Sequence, residues 1–324
     1  MRILLIIGKR KLVVESNVSD ICGHVMSLKF LHNFSVKVSE NGGDSNSLFC
    51  LRAESGEKFG VKFDERSKVL SLKLDWQIFN QTDVIEKLLL QLLFLSNLED
   101  GIFPVHASAV ARNGKAYLII GPTGSGKTSL SMALCARKGF NWIADDEVGL
   151  MIKKDGVFIS QADDLLSFRK LPFSILSGHI SIAAADKIRS RFTNIENPWV
   201  KTRPPLRCGD LGLKKPKLPI KMESFFFSTI VDSYHYCDKA PKSQAAVVVY
   251  NEFAKSIGGI GSYVLNNFGE IASQPVVLGT SRWNEIGSFV NRTVNVCQSY
   301  MVQGSLEQIL SDITSIILDN NDQR

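Results

Sequence analysis

The sequence predicts an α/β protein in two parts: a smaller α+β domain over residues 1–100, then a larger domain with a mixed sheet over residues 101–324. Three observations carry that expectation. The first hundred residues alternate short β-prone runs with polar breaks before a single apolar helical stretch. A hairpin signal, Asn113-Gly114, separates two apolar runs, which makes at least one strand pair antiparallel. The second of those runs leads straight into a glycine-rich octapeptide and then a helical segment, and the next buried strand ends in two adjacent carboxylates.

At 324 residues the chain is long enough for about two domains and for a large core without staples. Hydrophobic residues make up 44% and charged residues 22%, which excludes a mainly disordered or collagen-like chain. The six cysteines lie far apart and form no CxxC pair, so neither a zinc ribbon nor a dithiol motif is indicated, and a reducing compartment fits. The apolar run Ile3–Ile7 is shorter than a signal-peptide core. Val84–Leu95 is interrupted by Glu86, Lys87 and Gln91, too short and too polar to span a bilayer. The expectation is a cytoplasmic protein with no membrane partner.

The net charge of +6 is a mild excess and does not argue for nucleic acid. Part of it is local. Residues 187–221 hold ten Lys and Arg against only Glu196 and Asp210. Such a run is either a solvated loop or a surface that receives an acidic substrate or nucleotide phosphates.

In the N-terminal part, Lys11–Val14, Ser35–Val38, Phe49–Arg52, Phe59–Phe63 and Val69–Leu74 read as strands, with a turn at Asn41-Gly42-Gly43. Asp83 and Glu86 resemble a capping box opening a helix from Val84 to about Asn97. In the second part, Val105–Ala111 and Lys115–Ile120 read as a hairpin, followed by the octapeptide, a helix to about Arg137 and a buried strand Asn141–Asp145. Val148–Lys153 and Val157–Ser160 form a second hairpin turned at Asp155-Gly156. Six prolines and the basic run make 163–220 a region of long loops around short helices. Strands are expected at Ser224–Val231, Ala245–Tyr250, Val276–Leu278 and Thr293–Tyr300, with helices at Glu252–Asn267 and Ser305–Leu318. Ser305 and Gln308 supply a capping box for the last.

The octapeptide Gly121-Pro122-Thr123-Gly124-Ser125-Gly126-Lys127-Thr128 fits G-x-x-x-x-G-K-[ST] without mismatch. Glycines let backbone N–H groups turn inward around phosphate oxygens, and the following helix aims its unpaired amides and dipole at the same anion. Gly121, Thr123, Gly124, Ser125, Gly126, Lys127, Thr128 and Ser129 are therefore the candidate nucleotide-binding set, with Lys127 on the β- and γ-phosphates and the Thr128 hydroxyl in the magnesium shell. Asp145 and Asp146 close an apolar strand at the edge where open α/β sheets place ligands. Adjacent strand residues point to opposite faces, so the strand must end or twist there if both carboxylates are to face one ligand. One could hold magnesium and the other accept a proton from an attacking hydroxyl. His106 opens the first hairpin strand, which folds its imidazole back to the phosphate-loop end.

The run from His106 to Asp146 resembles the catalytic domain of the HPr kinase/phosphorylase group, P-loop kinases related in fold to ATP-dependent phosphoenolpyruvate carboxykinase. The resemblance rests on a His fifteen residues before the P-loop, the intervening hairpin, and Ala144-Asp145-Asp146 closing the next strand. It implies an HPr kinase C-terminal-like fold and a phosphotransferase that uses ATP and Mg2+. It also implies Asp145 as the base on the acceptor hydroxyl, His106 and Lys127 at the phosphate end, and Thr128 with Asp146 holding the metal. The family's Glu-Ile-Arg-Gly-Leu-Gly segment is absent, and Ser167-Phe168-Arg169-Lys170-Leu171-Pro172 stands nearest to it. Arg169 from that segment joins the nucleotide set. His106 is followed by Ala107, as in divergent HPr kinase-like proteins, some of which phosphorylate a serine on a ribosomally made peptide.

The expected activity is transfer of a γ-phosphoryl group to a hydroxyl, foremost a serine of a peptide or protein. A small-molecule hydroxyl kinase and a nucleotide-binding regulatory module without transfer are the alternatives. Residues 1–100 could recognise the acceptor, mediate a homo-oligomer or brace the core.

Overall fold

The computed structural model describes residues 2–7, 10–16, 36–39, 49–55, 60–64, 69–74, 97–162, 165–166, 173, 180–192, 206–254 and 280–322. The chain forms two compact units, one of residues 1–101 with 254–284 and one of residues 102–253 with 285–324.

The first unit holds a six-stranded sheet. Its strands are β1 (Arg2–Ile7), β2 (Arg10–Ser16), β3 (Val36–Ser39), β4 (Phe49–Ser55), β5 (Gly60–Asp64) and β6 (Val69–Leu74), in the order β3-β1-β2-β4-β6-β5. β1 pairs antiparallel with β2 and β3, β4 pairs parallel with β2 and β6, and β5 closes antiparallel on β6. The five expected strands lie within three residues of the bounds of β2 to β6, and the run Ile3–Ile7 is the body of β1. The turn at 41–43 and nearly all of the helix expected over 84–97 fall outside the described residues.

The second unit is built on a mixed sheet. β7 (Ile102–Val105), β8 (Ser108–Arg112), β9 (Lys115–Ile120), β10 (Asn141–Ala144), β11 (Val148–Lys153), β12 (Gly156–Ala162) and β15 (Ile220–Ile230) follow the order β10-β8-β9-β15-β12-β11-β7. The short β13 (Leu165–Leu166) and β14 (Leu206–Arg207) pair only with each other. β8 and β9 are the expected hairpin, with Asn113 at φ 52° in the turn, the positive φ that Asn-Gly supplies cheaply. The sheet forks along β15. Its start pairs antiparallel with β12, and its later part pairs parallel with β17 (Gln298–Gly304), which carries the edge strand β16 (Tyr236–Lys239). β9 lies parallel to β15 on the other side.

Alternation along β15 sorts the core into two faces. Phe226 stacks on Tyr300 and leans on Tyr117, within a cluster that takes in Leu130, Leu134, Trp142, Ile309, Leu310 and Ile313. Those side chains come from α1 (Lys127–Lys138), α5 (Leu306–Asp322) and the strands beneath them. Phe225 and Phe227 stack on each other with the opposite parity. A second group joins Phe103 to Phe253 and Phe289, the last at 4.0 Å. Phe253 sits on α3 (242–254) and Phe289 on α4 (Thr280–Val296). α2 (Ile182–Arg189) is capped by the Ser181 hydroxyl, and the Ser305–Gln308 capping box forms on α5.

Three expectations are corrected. Ala245–Tyr250 is helical, not a strand. Its β-branched run suggests a strand, but Ala245, Val249, Glu252 and Phe253 are buried at helical spacing, and the Ala245 N–H donates to the Pro241 carbonyl in the first turn. Thr293–Val296 likewise belongs to α4, whose buried Ile286, Phe289, Val290, Thr293 and Val294 repeat with the same period, and the strand begins only at Gln298. Val105–Ala111 is not one strand. The chain leaves β7, which pairs with β11, and re-enters the sheet as β8 beside β9 and β10. His106 and Ala107 are the break between those two ladders. Of the helix expected over 252–267 only 252–254 is described, and 276–278 and Arg169 also lie outside the described residues.

Candidate functional site

Residues 121–126 connect β9 to α1 and are held against the end of β15. The Ile230 N–H donates to the Ser125 carbonyl at 3.0 Å, and the Ser125 N–H donates to the Pro122 carbonyl at 3.1 Å. The contact is so close that side chains would not fit. A Cβ on Gly121 would meet the Ser228 carbonyl oxygen at 2.5 Å, and a Cβ on Gly126 would meet Ile230 Cδ1 at 2.3 Å. Gly126 also has φ 91° and caps α1 with no side-chain acceptor, and the first turn of α1 has no acidic residue. The helix therefore begins with backbone donors that no capping side chain satisfies.

Lys127 is 7% exposed and donates to the Gly121 carbonyl at 2.8 Å and more weakly to the Pro122 carbonyl at 3.4 Å. A buried ammonium requires such partners. Ser125 is also buried, and its hydroxyl has no hydrogen-bond partner among the described residues. A cation, an orphaned hydroxyl and glycine-lined backbone at one loop fit a phosphate group: they supply donors and no competing negative charge. Thr128 and Ser129 follow on α1, the former half-buried and the latter buried.

β10 ends at Ala144, and the backbone bends at Asp145 and Asp146, so the strand stops where the sequence requires it to stop. The two carboxylates are not equivalent. Asp145 is 1% exposed, and the Ser108 hydroxyl donates to its carbonyl at 2.6 Å and lies 3.4 Å from Oδ1. Asp146 is half-buried. The imidazole of His106 is hydrogen-bonded to the Asp146 backbone and lies within electrostatic reach of Lys127, Asp146 and Glu252. Burial, then the Lys127 cation, hold its pKa below the ordinary value of 6.5, against the opposing pull of the two carboxylates and the hydrogen bond. His106 is thus held toward the neutral form, able to donate from one ring nitrogen and accept at the other.

His106, Lys127 and Asp146 come together, and Asp145 lies next in the chain. Two residues of this cluster were not singled out from the sequence. Ser108 ties β8 to the end of β10. Glu252 is 4% exposed on α3, a carboxylate at a core-facing position of the helix. Its signal is a charged residue falling in register with Ala245 and Val249, visible only once α3 is known to be a helix. Among the described residues no group of three or more His, Cys, Asp or Glu forms a metal centre. A magnesium ion here would take the Thr128 hydroxyl and one carboxylate, leaving its remaining positions to phosphate oxygens and water. Among the described residues no helix is long and apolar enough to cross a membrane.

No protein-family model matches the chain, and no curated protein does. Among solved structures, the HPr(Ser) kinase/phosphatase from Coxiella burnetii aligns over 68% of this chain and 97% of its own, with 11% sequence identity and a TM-score of 0.30. That is a distant structural similarity and carries no weight for activity, which has to be read from the residues themselves.

Proposed function

We propose that the protein is a kinase that uses ATP and Mg2+ to phosphorylate a hydroxyl group, foremost a serine of a peptide or protein. The observation that carries the reading is the buried Lys127 in a glycine-walled loop, with His106 within electrostatic reach of both Lys127 and Asp146 and with Asp145 next to Asp146 in the chain. A loop that only bound phosphate would not require a carboxylate pair and an imidazole at its mouth, whereas phosphoryl transfer does.

In this reading the loop amides and Lys127 hold the β- and γ-phosphates, and Lys127 exchanges its bonds to the Gly121 and Pro122 carbonyls for phosphate oxygens. Thr128 and Asp146 would hold the magnesium ion, which when bound would neutralise charge on the phosphate oxygens. Asp145 accepts the proton of the acceptor hydroxyl as the new O–P bond forms. The bond from the γ-phosphorus to the bridging oxygen breaks, and its electron pair leaves with ADP. His106, whose neutral ring carries one N–H, exchanges its bond to the Asp146 backbone for a γ-phosphate oxygen and fixes its orientation. Arg169 is assigned to the nucleotide. Most of the rate gain comes from positioning and charge neutralisation.

The burial of Asp145 against Ser108 favours one variation, in which the more accessible Asp146 serves as base and Asp145 as metal ligand. Substitution separates the assignments. Asp145→Asn is expected to lower transfer at least about 1,000-fold while magnesium-nucleotide affinity changes less than about threefold. Isothermal titration with ADP and magnesium, beside single-turnover transfer to candidate peptides followed by mass spectrometry, reads both. Weakened magnesium-nucleotide affinity in Asp145→Asn, with transfer lost and affinity kept in Asp146→Asn, exchanges the roles. Undiminished transfer in both variants removes the pair from the chemistry.

A further inference from the structure

We propose that the end of the second unit's sheet remote from the phosphate loop docks an extended acidic segment of the acceptor peptide, with one apolar side chain seated in the cavity beside Phe140. The identity of the occupant as acceptor rests on the kinase reading; the surface itself does not.

Strand direction gathers the cations there. β8 ends at Arg112 and β9 begins at Lys115, while the phosphate loop follows the other end of β9, roughly 20 Å away at strand rise. Lys115 is the register partner of Lys221 on β15, which also faces Phe158 on β12. β11 ends at Lys153, followed by Lys154, and the Arg292 guanidinium donates to the Lys153 carbonyl. The Trp142 N–H donates to the Lys214 carbonyl at 2.9 Å, which lays Lys215 and Lys217 alongside the start of β10. Among the described residues of these strands and turns, Asp155 in the β11–β12 turn and Glu223, which pairs with Lys115 at 3.4 Å, stand against these nine cations. The local excess is seven, although the whole chain carries only +6. The sequence is close to neutral elsewhere, and its positive charge is concentrated on this edge.

That concentration costs folding free energy, since Lys115 and Lys221 are like charges side by side on adjacent strands. Three of the cations are nonetheless held in place over rings: Arg112 over Phe140, Lys215 over Trp142 and Lys153 over Phe158. Fixed, crowded cations are a costly arrangement for the free chain and a favourable one for a polyanion.

The cavity selects among polyanions. It measures about 400 Å³ and is lined by Met132, Cys135, Phe140, Asn141, Leu213 and Lys214. Ser181 also lines it, and the adjoining Ile182 is 82% exposed. A nucleic acid would use the lysines but has no aliphatic side chain to set against Met132 and Leu213, and Trp142 and Phe140 are buried, not offered for base stacking. An acidic peptide with one apolar residue uses both features.

The test uses the full chain without nucleotide, so that it reads the surface alone. The probe is a fluorescent peptide of glutamate, glycine and serine with one central leucine, followed by anisotropy at low and physiological salt. Wild type is expected to bind it, with at least about tenfold loss in the K214E/K215E/K217E variant, whose lysines are exposed and can be replaced without unfolding. Replacing the leucine of the probe by serine, or closing the cavity mouth with Ala136→Trp at an exposed position, should each cost about fivefold or more. Equal affinity of the charge-reversed variant, equal affinity for the serine probe, or tighter binding of a single-stranded oligonucleotide or of anionic vesicles overturns the proposal. Calorimetry with ADP and magnesium on the same preparation reads the phosphate loop. Peptide binding without nucleotide binding overturns the kinase reading and the acceptor role, whereas nucleotide binding without peptide binding overturns only the docking surface.

Discussion

Lys127 and His106 share one buried neighbourhood, and their charges oppose each other. The Lys127 ammonium is satisfied by loop carbonyls and, with burial, keeps the imidazole of His106 from taking a proton. Lys127→Ala should cost about 10- to 100-fold in magnesium-nucleotide affinity, the range of a charge-assisted contact, with little loss of melting temperature; isothermal titration and thermal melts check both. His106 makes stability depend on pH in a stated direction. Its folded pKa lies below 6.5, so between those two values the unfolded chain binds more protons than the folded one. The native state is therefore fully favoured above about pH 6.5 and loses stability as pH falls through that window. His106→Gln should lose less stability than the parent between pH 7.5 and 5.5 in urea melts. Equal losses would mean that the imidazole is not held neutral by its surroundings. At this scale the sequence was legible where a motif fixed both residue type and spacing, as for 121–128. It was silent on Ser108 and Glu252, whose roles depend on which strand and helix lie beside them.

The elements explain why the loop holds its shape. β15 presses its last residues against the 121–126 loop, and Gly126 is glycine both for its φ of 91° and for Ile230. Gly126→Ala should destabilise the protein by about 1–3 kcal/mol and weaken nucleotide binding. Adding Ile230→Ala should recover part of the stability, because it removes the steric cost and leaves the φ cost. Additive losses in urea melts would show that the two residues do not meet. The strands of the first unit were readable because short β-prone runs there are separated by polar breaks. α3 and the end of α4 were misread because Val and Thr favour strands locally, while burial at every third and fourth position decided the outcome. The break at His106-Ala107 was hidden for a different reason: two short strands in different ladders read as one apolar run.

At the level of the molecule, the two units each have their own sheet, and the candidate nucleotide site lies wholly within the second. A ligand that binds only the folded form of one unit stabilises that unit by mass action, about 2.7 kcal/mol at a hundredfold excess over Kd. If the units unfold as separate cooperative bodies, calorimetry should resolve two transitions, and ADP with magnesium should raise only one of them by several degrees. In a variant that keeps Trp142 and replaces Trp76, Trp199 and Trp283 by Phe, the transition that moves should coincide with the change in fluorescence, since the Trp142 ring is fully buried in the second unit. Lys127→Ala should remove the shift without lowering the transition itself. A single transition that rises as a whole would mean that the units unfold together. A shift confined to the transition that Trp142 does not report would place the nucleotide outside the second unit, and the reading of residues 121–128 would fall with it.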